Sequence, residues 1–149
     1  MTIDLMTIDL MTICMFTSET KIRIHYALTD QMGMVYHGNY AQLYEISRTE
    51  AIRQLGFTYK SIEAMGIIMP VVDLHTKFLR PAKYDDLVTV KTILKEIPLH
   101  HKIVFHQEVY NEEGELLNTA EITLYFMHSH NMKRAEIPAL LKQKLEEYF

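Results

Sequence analysis

The chain has 149 residues, 48% of them hydrophobic, and a formal net charge of −4. That length fits one domain with a sizeable core, and a mean hydropathy of −0.05 fits a soluble globular protein. The acidic balance argues against a general nucleic-acid binder, which carries a basic face. A single cysteine, Cys14, leaves no internal disulfide, so a cytoplasmic home is expected.

The N-terminus repeats. Met1-Thr2-Ile3-Asp4-Leu5 recurs as Met6-Thr7-Ile8-Asp9-Leu10 and again, in part, as Met11-Thr12-Ile13-Cys14-Met15. No Lys or Arg precedes Lys21, so the positive start of a secretory signal is missing. Asp4 and Asp9 interrupt the apolar run, so no membrane span is expected. Residues 1–19 are expected to be an atypical, poorly ordered extension, and residues 20–149 the working domain.

Lys21 to Tyr26 alternates charged and apolar residues and predicts a strand, with Ile22, Ile24 and Tyr26 on one face. Asp30 to Gly38 reads as a loop. From Asn39 to Leu55 the pattern turns helical: Tyr40, Leu43, Tyr44, Ser47, Ala51, Ile52 and Leu55 recur at three- and four-residue steps. Asn39 is the expected N-cap and Gly56 the expected stop. Glu45 and Arg48, three apart, predict a surface ion pair. Strands follow at Val72–Phe78, over Val88, Val90, Thr92 and Leu94, over Ile103, Phe105, Gln107 and Val109, and over Ala120, Ile122, Leu124 and Phe126. Pro81 with Asp85-Asp86 breaks one connection, and Asn111-Glu112-Glu113-Gly114 closes a hairpin. Pro138 to Tyr148 predicts a terminal helix. Consecutive strands on short turns pair antiparallel, so the reading is α+β: a curved antiparallel sheet folded around one long helix.

Chemistry concentrates in Thr29-Asp30-Gln31-Met32-Gly33-Met34-Val35-Tyr36-His37-Gly38-Asn39-Tyr40. One acid precedes a glycine turn, and the predicted helix begins a few residues later. The first N–H groups of a helix have no partner within it and favour negative charge in front of them. A carboxylate beside such a helix start suits a reaction that develops an anion. Gly33, lacking a Cβ, allows a sharp turn there.

This motif, from Tyr26 to Tyr40, and a second, Phe78-Leu79-Arg80-Pro81-Ala82-Lys83-Tyr84-Asp85-Asp86, resemble the hotdog-fold acyl-CoA thioesterases of the 4-hydroxybenzoyl-CoA thioesterase group. The likeness runs from Lys21 to Glu147 and is strongest to the small bacterial enzymes associated with the Tol–Pal system. It implies a hotdog fold of about five strands, a homodimer or homotetramer with sites at the dimer interface, and hydrolysis of acyl-CoA to free acid and coenzyme A. Coenzyme A is then part of the substrate, and no separate cofactor is expected. On the matching positions, Asp30 falls on the catalytic carboxylate and the backbone N–H of His37 on the donor that polarises the thioester carbonyl. The chain departs from the group at Leu28, where relatives often carry an acid.

Gly33, Val35, Tyr36 and Tyr40 are the candidate acyl-pocket residues, with Tyr36 and Tyr40 also readable as core. Glu45 is a secondary acidic candidate, because some hotdog enzymes place an acid on the central helix. Arg80 and Lys83 are candidates for the coenzyme A phosphates. His100-His101 and His128-Ser129-His130 lack a nearby Asp or Cys to complete a metal set, so no metal is expected. No Gly-x-Ser-x-Gly elbow is present, which leaves a serine hydrolase mechanism unsupported. A carboxylate can attack a thioester directly or activate water as general base, and the sequence leaves both open. Two other readings stand beside hydrolysis of acyl-CoA: a thioesterase acting on acyl carrier protein, and a non-catalytic acyl-CoA binding module.

Overall fold

The computed structural model describes residues 15–149; the Met-Thr-Ile repeat over residues 1–14 lies outside them. In chain order the elements are β1 (Phe16–Arg23), a 3-10 turn (Tyr26–Leu28), a second 3-10 turn (His37–Asn39), α1 (Tyr40–Gln54) and α2 (Tyr59–Ala64). Then come β2 (Ile67–Ile68), β3 (Val71–Phe78), β4 (Leu87–Leu94), β5 (Lys102–Tyr110), β6 (Leu116–Tyr125), β7 (Met127–His128) and α3 (Ala139–Glu146). Five strands form one antiparallel sheet in the order β1-β4-β5-β6-β3, and β2 pairs with β7 in a small second sheet. One main helix lies across the large sheet, the hotdog arrangement that the resemblance implies.

Alternation in the sequence becomes the core. Val88, Val90, Thr92 and Leu94 of β4, and Ile103, Phe105, Gln107 and Val109 of β5, all turn inward and are buried. α1 lays Leu43, Tyr44, Ala51 and Ile52 on that face and packs against β1 and β4. Each large apolar side chain buried this way contributes about 1.5–3 kcal/mol.

β1 begins at Phe16 and ends at Arg23, earlier than Lys21–Tyr26. It takes in residues 16–19, which the sequence reading places in the extension. Phe16 is fully buried and meets Tyr148 edge-on at 5.0 Å, so its burial draws the strand toward the N-terminus. Tyr26 is 79% exposed and sits in the 3-10 turn, not on the inner face of a strand. Asn39 does not cap α1: its side-chain amide donates to the Leu28 carbonyl at 2.9 Å. The expected surface pair of Glu45 and Arg48 is also absent among the described residues, because Arg48 turns into the core. The helix α2 was not anticipated; a Thr58–Ser61 capping box starts it.

β3 and β1 are the two edges of the sheet. β3 leaves Val71, Val72, Leu74 and Phe78 exposed, whereas β1 hides Phe16 and Ser18.

Candidate active site

The loop before α1 folds around one acid. The Asp30 Oδ1 accepts the Met32 N–H at 2.8 Å and the Met34 N–H at 3.3 Å, while the Asp30 N–H donates to the Met34 carbonyl at 2.8 Å. An Asp side chain that bonds its own following backbone makes a turn locally. Gly33, at φ +72°, completes that turn in a region L side chains rarely adopt. The Asp30 Oδ2 has no protein donor among the described residues.

A second segment holds the loop in place. Val35 N–H donates to the Ala82 carbonyl at 2.8 Å, and Tyr84 N–H to the Gly33 carbonyl at 2.9 Å. This puts Arg80-Pro81 beside the carboxylate, so the two sequence motifs form one site.

The helix start is built from the same region. Tyr36 N–H donates to the Leu28 carbonyl, and the chain then enters the 3-10 turn His37–Asn39 that leads into α1. The N–H groups of His37 and Gly38 open this turn, where no carbonyl of their own helix can reach them. No loop acceptor among the described residues takes them either. The Tyr36 ring lies over Gly38: a Cβ there would meet its Cε1 at 2.8 Å. Glycine at 38 thus lets the Tyr36 ring lie where it does; any Cβ there would have to displace the ring.

Asp30, Met32, Met34, Val35, His37 and Tyr40 line a cleft of about 380 Å³, closed by Phe78, Leu79, Arg80 and Pro81. Phe78 stands edge-on to the Tyr40 ring at 5.5 Å and to the His37 imidazole at 6.5 Å. Tyr40 is buried, its hydroxyl accepting a long 3.4 Å bond from the Ala82 N–H, and burial pushes its phenol up from the ordinary value. It serves core and cleft wall at once. Tyr36 is 48% exposed and packs against His37 with ring centroids 4.3 Å apart and the planes tilted by 44°.

Gly33 and Tyr36 flank the cleft without lining it, and two further candidates fall elsewhere. Lys83 bridges Met34 through its backbone but does not line the cleft, and its N–H is held by the Asp86 carboxylate. Glu45 lies on the solvent side of α1, beside a separate cavity with Arg48 and Tyr59. Arg80 lines the cleft while its guanidinium pairs with Glu115. Met32, Met34, Phe78, Leu79 and Pro81 were not singled out from sequence; the signal available was apolar side chains inside the two motifs, at positions where loops are usually polar.

The geometry can therefore present one anchored carboxylate and unpaired backbone donors at a helix start to the same apolar cleft. The thioesterase superfamily matches residues 32–118, which takes in the second motif and the first from Met32 onward, with Asp30 just outside it. The chain is 39% identical over 102 residues to YneP of Bacillus subtilis, named as a candidate acyl-CoA thioesterase, covering 68% of this chain and 73% of that one. It is 31% identical over 117 residues to the acyl-CoA thioester hydrolase YbgC of Escherichia coli O157:H7, covering 78% and 87%. Among solved structures, a DHNA-CoA thioesterase from Staphylococcus aureus aligns with a TM-score of 0.77 at 37% identity, covering 81% of this chain and 80% of that one.

Proposed function

The chain belongs to the thioesterase superfamily and is a thioester hydrolase of the acyl-CoA kind, and from this we propose that Asp30 and the His37 backbone N–H carry the reaction. The thioester carbonyl lies against the start of the helix, its oxygen receiving the His37 amide. The Asp30 carboxylate attacks the carbonyl carbon, or takes a proton from the water that does. The C–S bond then breaks, and the thiolate of coenzyme A leaves and is protonated; on the water route the free acid is formed at once, and on the direct route the acyl–Asp30 anhydride is next hydrolysed by water to the free acid and the Asp30 carboxylate. A preorganised oxyanion donor is worth about 3 kcal/mol of barrier, and a positioned base roughly 10²–10⁴-fold in rate.

One observation carries this reading: the carboxylate and the unpaired helix-start amides border a single cleft, each held by backbone hydrogen bonds. Val35 and Tyr40 then bound the acyl group, Tyr36 supports His37 beside it without lining the cleft, Gly33 shapes the loop, and Arg80 is the cation beside the cleft for a coenzyme A phosphate. Lys83 and Glu45 have weaker support, since neither borders the cleft.

A homodimer is part of the proposal, alone or paired into a tetramer. Its support is the β3 edge, where Val72 is 45%, Leu74 40% and Phe78 54% exposed beside an open hydrogen-bonding ladder. An apolar edge strand of this kind is a template for pairing with another chain, and Phe78 joins that edge to the cleft.

The test is thiol release by purified protein from acyl-CoAs of short to long chain and an aryl thioester, with acyl carrier protein thioesters and Asp30→Asn in parallel. Turnover on CoA thioesters that Asp30→Asn abolishes is expected. Faster turnover on the carrier-protein thioester would reassign the substrate, and binding without thiol release would leave a binding module.

A further inference from the structure

We infer that Glu115, in the turn between β5 and β6, sets how tightly this protein grips coenzyme A. Its carboxylate occupies Arg80 and is exchanged for a coenzyme A phosphate on binding. This rests on the reading that Arg80 meets such a phosphate, and adds the group that competes for it.

Arg80 is the one Lys or Arg among the described residues that lines the cleft beside Asp30. It is held at both ends. Its backbone N–H donates to the Leu117 carbonyl of β6 at 3.0 Å, and its Nη1 donates to the Glu115 Oε2 at 2.5 Å. Glu115 is itself fixed by the turn. The Asn111 Oδ1 accepts the Glu115 N–H at 2.8 Å, and the Asn111 N–H donates to the Glu115 carbonyl at 3.1 Å. The Asn111 Nδ2–H donates to the Glu115 Oε1 at 3.4 Å. The hairpin turn therefore delivers an acid to the cation of the cleft.

A guanidinium fork takes a carboxylate or a phosphate with the same planar geometry, so Glu115 and a phosphate compete for the same donors. The pair is easily opened: the Arg80 side chain is 65% and that of Glu115 44% exposed, and an ion pair so exposed to water is weak. A phosphate monoester brings about −1.5 to −2 charge and three acceptor oxygens, against the single charge of Glu115. Once displaced, the carboxylate stays tethered to the turn and repels the phosphate that has replaced it. Coenzyme A is then held less tightly than Arg80 alone would hold it. That suits turnover, because coenzyme A is also the thiol product and has to leave.

Isothermal titration with coenzyme A tests this, using the full chain as wild type, Glu115→Gln, Arg80→Met and the double variant. Glutamine keeps an oxygen for Arg80 and removes the charge. Glu115→Gln should bind coenzyme A roughly three- to tenfold more tightly at low salt, the effect of one charge a few ångströms away in water. The gain should shrink as sodium chloride is added, and it should vanish in the Arg80→Met background. Affinity in Glu115→Gln equal to or weaker than wild type, or a gain that persists without Arg80, would overturn the inference. Coenzyme A affinity untouched by Arg80→Met is a different failure: it removes Arg80 as the phosphate contact, and the role of Glu115 falls with it. Because binding needs no turnover, the hydrolase reading is tested separately by thiol release.

Discussion

Asp30→Asn separates the chemistry of the carboxylate from its part in the fold. Asparagine keeps an oxygen where the Asp30 Oδ1 accepts the Met32 and Met34 amides at 2.8 and 3.3 Å, so the loop keeps its anchor. The charge and the basicity are what it removes. Loss of a positioned base costs roughly 10²–10⁴-fold in rate, about 2.7–5.5 kcal/mol of barrier at 1.36 kcal/mol per tenfold. Asp30 is half-buried and makes no ion pair among the described residues, so the folding free energy should change by no more than about 0.5 kcal/mol. For a chain of this size that is a melting shift of about 2 °C or less. The assay is kcat/KM for thiol release on the best acyl-CoA, beside a thermal melt. Asp30→Ala is the contrast: it also frees the two loop amides, at about 1 kcal/mol for a lost hydrogen bond. If Asp30→Asn stays within about threefold of wild type, under about 0.7 kcal/mol of barrier, the carboxylate does not take part in the reaction.

Gly38→Ala drives a Cβ to 2.8 Å from the Tyr36 ring; since that ring is half exposed and free to swing, kcat/KM should fall while the melting temperature moves by about 2 °C or less, and an unchanged kcat/KM would remove Tyr36 and Gly38 from the site. Leu74→Lys alters a side chain 40% exposed on β3, a change worth within about 0.5 kcal/mol in a monomer; light scattering should show loss of the oligomer together with activity, and an unchanged mass refutes pairing through this edge. Thr92→Val deletes a buried hydroxyl that bonds the Ser47 Oγ at 2.7 Å and accepts the Gln107 Nε2–H at 2.9 Å; the expected loss is about 1–3 kcal/mol, read as about 2–4 °C of melting temperature per kcal/mol, and an unshifted melt would show that this pair of bonds adds no stability.

The sheet was legible because its central strands are buried on one face, so β5 alternates throughout and β4 does so until its last residues, where Ile93 is buried as well. β1 was misplaced because its apolar anchor, Phe16, sits next to the repeat and apart from Ile22 and Ile24. α2 spans six residues and β2 and β7 two each, too short for any periodicity to register. Arg48 is the instructive miss. Its position falls in phase with Tyr44, Ala51 and Ile52, on the buried stripe of α1, yet a charge at that place reads as surface because charged residues are almost never fully buried. The Asp30 loop was legible through its motif, but the cleft walls were not. Phe78 and Leu79 reach it only because β3 ends beside the loop, and strand order is not written in local pattern.

The two halves of the site meet at one peptide. The Ala82 carbonyl accepts the Val35 N–H and so holds the Asp30 loop; the Ala82 N–H donates to the Tyr40 hydroxyl and so holds the start of the helix. Ala82 is fully buried, where a larger side chain would force neighbours apart. The helix is fixed again one and two turns on, where Tyr44 and Ser47 bond Asn118 and Thr92 of the sheet. Apolar packing alone tolerates small slides, whereas hydrogen bonds hold only over a narrow range of distance and angle, so these contacts set the register of α1. The spacing between carboxylate and amide therefore rests on backbone atoms and buried polar bonds, which is how a catalytic pair is held to the tolerance it needs. The cleft walls rest instead on side chains: Met32, Met34, Phe78 and Leu79. On the proposed reading, exchanging them would reshape the acyl pocket and leave the Asp30–His37 geometry alone, so one reaction could be kept while the acyl group it accepts is changed.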